Sequence, residues 1–353
     1  MSQARDSAYL NTRVAILGGK LLDREQLSDL VALDFDQVVA RLTGGQLGQL
    51  DTSGEEDRAR VLDALDHHLI QDWVQDLLVL LRPLRGKQRD VLVQWSRRME
   101  LFNIKAMVRG KLAGHSAAEI EAHLHDLPGS LSLARDELLR TESVTEFMRL
   151  LEQTPYASIA RHARRNFEER SDPFRLDASL DRWFYVGLMG QLLAMEEPDR
   201  GELRRLIGTS VDRHNLTWLL RYRFVYGLSA TETYYLLIPN GLRLHTDDLR
   251  RLVDMDRFEQ VLEELPEPLR GVLEGSAHNT EVEQRMQAHL SAIAHGVLRR
   301  SPSVAARVFA YLMLRFLDTR TVFAILEGKR LGLDETLIGQ AVGLKPIRVP
   351  EAA

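Results

Sequence analysis

The 353-residue sequence has no cysteine. That excludes disulfide frameworks, thiolate metal sites and cysteine nucleophiles, and it fits a reducing compartment. Charge of one sign is also lacking: 46 Lys and Arg stand against 51 Asp and Glu, a net of -5. The chain therefore carries no electrostatic footprint for nucleic acid. Local basic clusters (Arg161, Arg164 and Arg165; Arg204 and Arg205) alternate with acids and read as solvated faces. Long apolar runs are missing too. The most apolar stretch, 184–195, contains Gln191, and the next, 308–317, contains Arg315. Both fall short of the roughly 20 residues that span a bilayer. The first six residues hold no apolar core of the kind a signal peptide needs.

Motifs of chemistry are equally scarce. Gly18-Gly19-Lys20 superficially suggests a phosphate loop, but no glycine stands at the earlier required position and Leu21 follows the lysine. No HExxH, GxSxG or EF-hand pattern occurs. His67-His68 and His123-Leu124-His125 with Asp126 are weak chelators at best, because neighbouring helical residues face different directions. Trp183-Phe184-Tyr185 and Tyr234-Tyr235 read as packing aromatics. Neither a cofactor nor a catalytic residue is expected.

What the sequence does contain is helical periodicity. Residues 73–81, 91–112, 182–195, 215–226 and 304–326 place apolar side chains at i, i+3, i+4 spacing. Pro83, Gly129, Pro155, Pro173, Pro239, Gly241 and Pro266 fall between such segments. Alternating strand-like runs are hard to find, so the expected fold class is all-α.

Self-comparison reveals an internal repeat. Glu100…Asn103…Met107-Val108-Arg109…Lys111, Asp212…Asn215…Leu219-Leu220-Arg221…Arg223 and Asp318…Thr321…Ile325-Leu326-Glu327…Lys329 share one pattern. Counted from the Asn or Thr as zero, an acid stands at -3, apolar residues at +1, +4 and +5, and a base at +8. A glycine (Gly114, Gly227, Gly332) follows at +11 or +12, as expected near a helix C-terminus. The first two copies continue in step: Leu127-Pro128 matches Ile238-Pro239, Phe147 matches Phe258, and Pro155 matches Pro266. The repeats are expected to span 67–176, 177–277 and 278–353. The third is expected to be completed by residues 1–66, where Leu27, Leu30, Phe35, Val38 and Val39 imitate Leu138, Phe147, Leu150 and Leu151.

At 100° per residue the apolar positions of the repeat centre near 90°, the acid at about 60° and the base at about 80°. Both charges thus lie within the apolar face. Eleven residues separate them, roughly 16 Å along the axis, so they cannot pair with each other. An unpaired buried charge is costly, so each must find a partner elsewhere or lie at a wet helix end. We therefore expect Glu100, Lys111, Asp212, Asp318 and Lys329 to set helix register rather than to catalyse. Position +6 (Arg109, Arg221, Glu327) falls on the outer face and reverses sign in the third copy.

Several segments resemble one family. The opening Tyr9-Leu10-Asn11-Thr12-Arg13-Val14 resembles the Tyr-x-Asn-Ala-Arg-Val start of the central-stalk C subunit of V/A-type rotary ATPases (called d in eukaryotic V-type enzymes), with Thr12 where that family usually has Ala. Phe102-Asn103-Ile104 and His214-Asn215-Leu216 resemble its repeated Asn-Leu signatures, and residues 327–333 resemble its last helix. The resemblance covers the whole chain. It implies three similar helical domains in a pseudo-threefold, funnel-shaped arrangement. It further implies a non-catalytic rotor coupler that sits on the cytoplasmic face of the proteolipid c ring, receives the D and F subunits of the central shaft, and transmits torque. Arg109, Arg221 and Arg223, near the ends of the repeat helices, are the candidates for partner contact. A helical-repeat adaptor outside any ATPase is the alternative.

Overall fold

A computed structural model describes residues 3–44, 57–129, 131–170 and 173–345, and all regular structure among them is helical. Helix α1 (Gln3–Leu17) ends in a 3-10 turn (Gly18–Lys20), followed by α2 (Arg24–Ala32), α3 (Phe35–Thr43) and α4 (Arg58–Leu81). Next come α5 (Gly86–Ser96), α6 (Arg98–Ala113), α7 (Ala117–Glu121), α8 (Arg135–Arg140), α9 (Val144–Leu151) and α10 (Ala157–Arg170). Then follow α11 (Pro173–Leu193), α12 (Asp199–Leu220), which carries the second copy of the motif, α13 (Ala230–Leu236), α14 (Thr246–Val253), α15 (Phe258–Glu263) and α16 (Leu269–Leu273). The last helices are α17 (Asn279–Arg300), α18 (Val304–Arg330), which carries the third copy of the motif, and α19 (Glu335–Ala341).

The chain folds as two compact units. One joins Met1–Leu84 to Gly275–Ala353; the other is Arg85–Glu274. In the first, α18 packs against α17, α4 and α1. Leu30, Val31, Phe35, Val38 and Val39 of the N-terminal helices share an apolar cluster with Val322, Ile325, Leu326 and Ile338, and Leu27 packs on its edge. Each large side chain buried there contributes about 1.5–3 kcal/mol. Capping boxes fix where the helices start: Asp23 with Gln26 for α2, and Asp34 with Gln37 for α3, at about 1 kcal/mol per cap.

Helix α4 lies in this first unit, although the expected boundary at residue 67 puts most of it with the first repeat. Its fully buried Trp73 stands edge-on to Phe316 and donates Nε1–H to the Leu312 carbonyl at 2.9 Å. Beside it, Lys20 lies between Asp72 (3.2 Å) and Asp76 (3.0 Å), Arg315 pairs with Asp72 at 2.8 Å, and Tyr311 donates to Asp76 at 2.6 Å. Burial acts to raise the Asp72 pKa, but Arg315 and Lys20 hold it below its ordinary value. Lys20 and Arg315 are therefore the cations of a structural network joining the 3-10 turn to α4 and α18.

In the second unit α11 is the central helix, packed on α5, α6, α10 and α12. Lys105 of α6 reaches Asp181 (2.7 Å) and Asp177 (3.3 Å) on α11. The repeat helix is continuous in α12 and α18 but interrupted at Arg97 between α5 and α6. There the Ser96 hydroxyl donates to the Leu92 carbonyl at 2.6 Å, the i-4 back-bond that bends helices.

Candidate functional site

The three repeat acids all bind backbone amides. Glu100 Oε1 accepts from Leu133 N (3.2 Å), Asp212 from Arg243 N (2.8 Å) and Leu244 N (3.1 Å), and Asp318 from Leu22 N (3.0 Å). In each case the donor lies just before the start of a helix, α8, α14 or α2. Glu100 and Asp212 are each 1 % exposed. Burial pushes Glu100 up to about 7, against the Leu133 N–H and the Arg135 charge. It pushes Asp212 to about 7 and Asp318 to about 6, again against the amides that bind them. The close fit at Asp212 depends on Gly241, where a Cβ would collide with the carboxylate.

The three bases bind backbone carbonyls. Lys111 donates to Leu139 O (2.9 Å) and Thr141 O (2.6 Å). Arg223 donates to Leu228 O (3.0 Å) and Met255 O (3.3 Å). Lys329 donates to Val31 O (2.8 Å) and to Leu33 O. Burial lowers the pKa of both lysines, partly balanced by Glu146 for Lys111 and by Glu335 and Asp34 for Lys329. Arg223 thus takes the place of a repeat base. Its side chain is 17 % exposed, whereas that of Arg109 is 55 % exposed, 3.7 Å from Asp177.

Between acid and base lies the Asn or Thr. Asn103 accepts from the His125 N–H and donates to its carbonyl, both at 2.9 Å. Asn215 does the same to Ile238, at 2.8 and 2.7 Å. Thr321 instead turns its hydroxyl to the Leu317 carbonyl of its own helix at 3.0 Å. The helix therefore grips the segment that follows it at an acid, an amide and a base in copies one and two, while in copy three α18 grips residues 22–33 of the N-terminal segment at an acid and a base.

One further difference separates the copies. At +7 stand Gly110 and Gly328, and a Cβ there would lie 2.5 Å from Ile120 or 2.8 Å from Ile338. Copy two has the buried Tyr222 instead, within a π-helical turn (Arg221–Val225) that adds one residue. This insertion accounts for Gly227 falling at +12 where Gly114 and Gly332 fall at +11. Tyr222 packs among Phe174, Trp218 and Tyr226.

The remaining motif residues also have places in the fold. Asn11 accepts from Arg307 of α18 at 2.7 Å. The ring of His125 stacks on Phe102, centroids 4.8 Å apart. His67 Nδ1 lies 2.9 Å from the Asp63 carbonyl of its own helix. Among the described residues no group of three or more His, Asp or Glu converges as a metal site. Nor is any helix among them long and apolar enough to cross a membrane.

The family model for the ATP synthase (C/AC39) subunit matches residues 10–341. The chain belongs to that family. Relatives match along the same length. The C subunit of the A-type ATP synthase of Methanocaldococcus jannaschii is 26% identical over 335 residues, covering 91% of this chain and 82% of its own. That of Methanococcoides burtonii is 23% identical over 344 residues, covering 94% and 92%. That of Thermococcus kodakarensis is 25% identical over 349 residues, covering 95% and 90%. The matched span in this C/AC39 family member takes in all three acid–base clamps, from Leu22 on Asp318 to Lys329 on Val31.

Proposed function

We propose that this chain is a non-catalytic rotor coupling element that joins the central shaft of a V/A-type rotary ATPase, built from the D and F subunits, to the proteolipid c ring on its cytoplasmic face. The observation that carries this is the use made of the repeat charges. In a family of ATP synthase subunits, the buried and half-buried acids and bases of three matching helices hold backbone atoms of other segments, downstream in the chain for α6 and α12 and upstream for α18. They are thereby committed to fastening, where an active site would leave an acid and a base facing a shared space. A torque-bearing element without covalent cross-links needs this kind of fastening, because each repeat must keep its shape while a partner pushes on it.

In this proposal the three repeats are arranged with pseudo-threefold symmetry around a cavity that receives the shaft. The N-terminal and C-terminal segments together complete one repeat. Support for that last point is the shared core of residues 30–39 with 322–338 and the bond from Leu22 to Asp318. Arg109 and Arg221 remain contact candidates; Arg223 ranks below them because its donors already meet Leu228 and Met255.

Reconstitution of the purified chain with a detergent-solubilised ring and with a shaft of the D and F proteins tests the proposal. The expected result is a ternary complex that ring and shaft do not form without this chain. Charge reversal at Arg109 and Arg221 should weaken one of the two contacts. A chain that binds neither ring nor shaft removes the coupling role.

A further inference from the structure

The acids of the first two copies end in different surroundings. Both oxygens of Asp212 accept backbone amides, Oδ2 from Arg243 and Oδ1 from Leu244. Glu100 uses only Oε1 in this way, on Leu133. Its Oε2 is buried with no hydrogen-bond partner in the protein. Two more buried atoms share that condition: Nε of Arg135 and the hydroxyl of Tyr156, a residue 4 % exposed. The fold brings the three groups together. Leu133, the donor to Glu100, stands two residues before Arg135. The Arg135 guanidinium donates to the His125 carbonyl, and the His125 backbone is held by Asn103, three residues beyond Glu100 on the same face of α6. Tyr156 stands just before α10, which packs on α9, and α9 packs on α6. The electrostatics agree. Burial raises the Tyr156 pKa and the Glu100 charge raises it further; burial raises that of Glu100, with the Leu133 N–H and the Arg135 charge opposing. Neither Arg135 nor Tyr156 recurs in the second copy. Two residues after Leu244 stands Thr246, and after Pro266, the match of Pro155, stands Glu267, its side chain 59 % exposed.

We propose that Glu100 Oε2, Arg135 Nε and the Tyr156 hydroxyl form a binding site for one internal water molecule, which completes the clamp of the first copy. The three atoms complement water. Arg135 Nε–H only donates, an ionised Glu100 oxygen only accepts, and the Tyr156 hydroxyl does either. A water among them accepts from Arg135, donates to Glu100 and makes its third bond with Tyr156. Buried waters characteristically make about three hydrogen bonds to polar groups that the protein leaves unsatisfied. When Glu100 is protonated, its Oε2–H donates to the water, which turns a hydrogen to Tyr156, so the site is satisfied in both states. A metal cation suits the site less, because it would face the charge of Arg135. The water does for Glu100 what the second amide does for Asp212. The proposal is independent of the coupling role.

A high-resolution crystal structure of the full chain tests the site directly. The expected result is one density peak about 2.5–3.2 Å from all three atoms. A dry gap, or a direct bond between Glu100 and Tyr156, overturns the proposal. In solution, oxygen-17 relaxation dispersion counts long-lived internal waters. Glu100→Met replaces the carboxylate with an apolar chain of similar length and should lower the count by one. Glu100→Gln keeps an acceptor there and should leave the count unchanged. Tyr156→Phe removes a single partner and should shorten the residence time of that water about tenfold, the size of one net hydrogen bond. This variant keeps the test open if Glu100→Met fails to fold. An equal count in a folded Glu100→Met chain, or an unchanged residence time in Tyr156→Phe, overturns the proposal.

Discussion

The second and third copies of the repeat meet the same demand with different chemistry. In the second, α13 and α14 are joined by one continuous segment, and Asp212, Asn215 and Arg223 bind that segment and the loops beside it. In the third, the flanking helices come from opposite ends of the chain. There Asp318 and Lys329 still bind backbone atoms, but the middle position has changed to Thr321, bonded within its own helix. Arg24 of α2 instead donates to the Leu344 carbonyl at 2.8 Å, so a side chain of the N-terminal segment grips the backbone of the C-terminal one. The comparison separates two jobs. The acid and the base hold the two ends of one helix, α14 or α2, whatever the connectivity. The amide between them organises a continuous loop and is dispensable where that loop is cut.

The largest expected effect is at Asp212. Asp212→Ala leaves the buried Leu244 amide and the half-buried Arg243 amide unpaired, at a cost of about 2–5 kcal/mol, whereas Asp318→Ala strands the single half-buried Leu22 amide at about 1–3 kcal/mol. Urea midpoints of the two variants would measure the gap, and equal losses would break the comparison. Next in size is Asn215→Ala, expected to cost about 2–4 kcal/mol against less than about 1 kcal/mol for Thr321→Ala.

The pH dependence follows from the same groups. Burial raises Glu100 from 4.5 and Asp212 from 3.8 to about 7, and Asp318 from 3.8 to about 6. Folding therefore favours their protonated forms. The stability this confers is complete below about pH 4 and is lost as pH rises through 6 to 7. Asp212→Asn should flatten the fall in unfolding free energy between pH 5 and 8 by about 3 kcal/mol, at roughly 1.4 kcal/mol per pKa unit. An unchanged slope in that variant would show that Asp212 is ionised throughout. Most local is the glycine effect. Gly110→Ala and Gly328→Ala press on Ile120 and Ile338 and should each cost about 1–3 kcal/mol. The paired change Ile338→Val should recover part of the loss at Gly328, as differential scanning calorimetry would show.

Much of this was legible in the sequence, for identifiable reasons. Helical periodicity marks the long helices because their apolar faces are continuous. The acid at -3 and the base at +8 stand out because they interrupt that face. Their partners leave no such trace. A backbone N–H at Leu133 or a carbonyl at Val31 exists at nearly every residue, so no motif points to it. Arg223 shows the same limit. Its +8 position equates it with Lys111 and Lys329, yet a base near a helix end also suits an external partner, and only the carbonyls of Leu228 and Met255 decide its place. The π turn had one visible signal, the glycine displaced from +11 to +12, and its cause became clear with Tyr222 in the position of a glycine.

The central claim is mechanical, and the most direct measurement of it is coupling. Vesicles containing the whole rotary complex, assembled with and without this chain, would be assayed for ATP hydrolysis and ATP-driven ion transport together. The proposal predicts that the complex lacking the chain hydrolyses ATP without transporting ions, and that adding the chain back restores transport. Full ion transport in its absence would contradict the account.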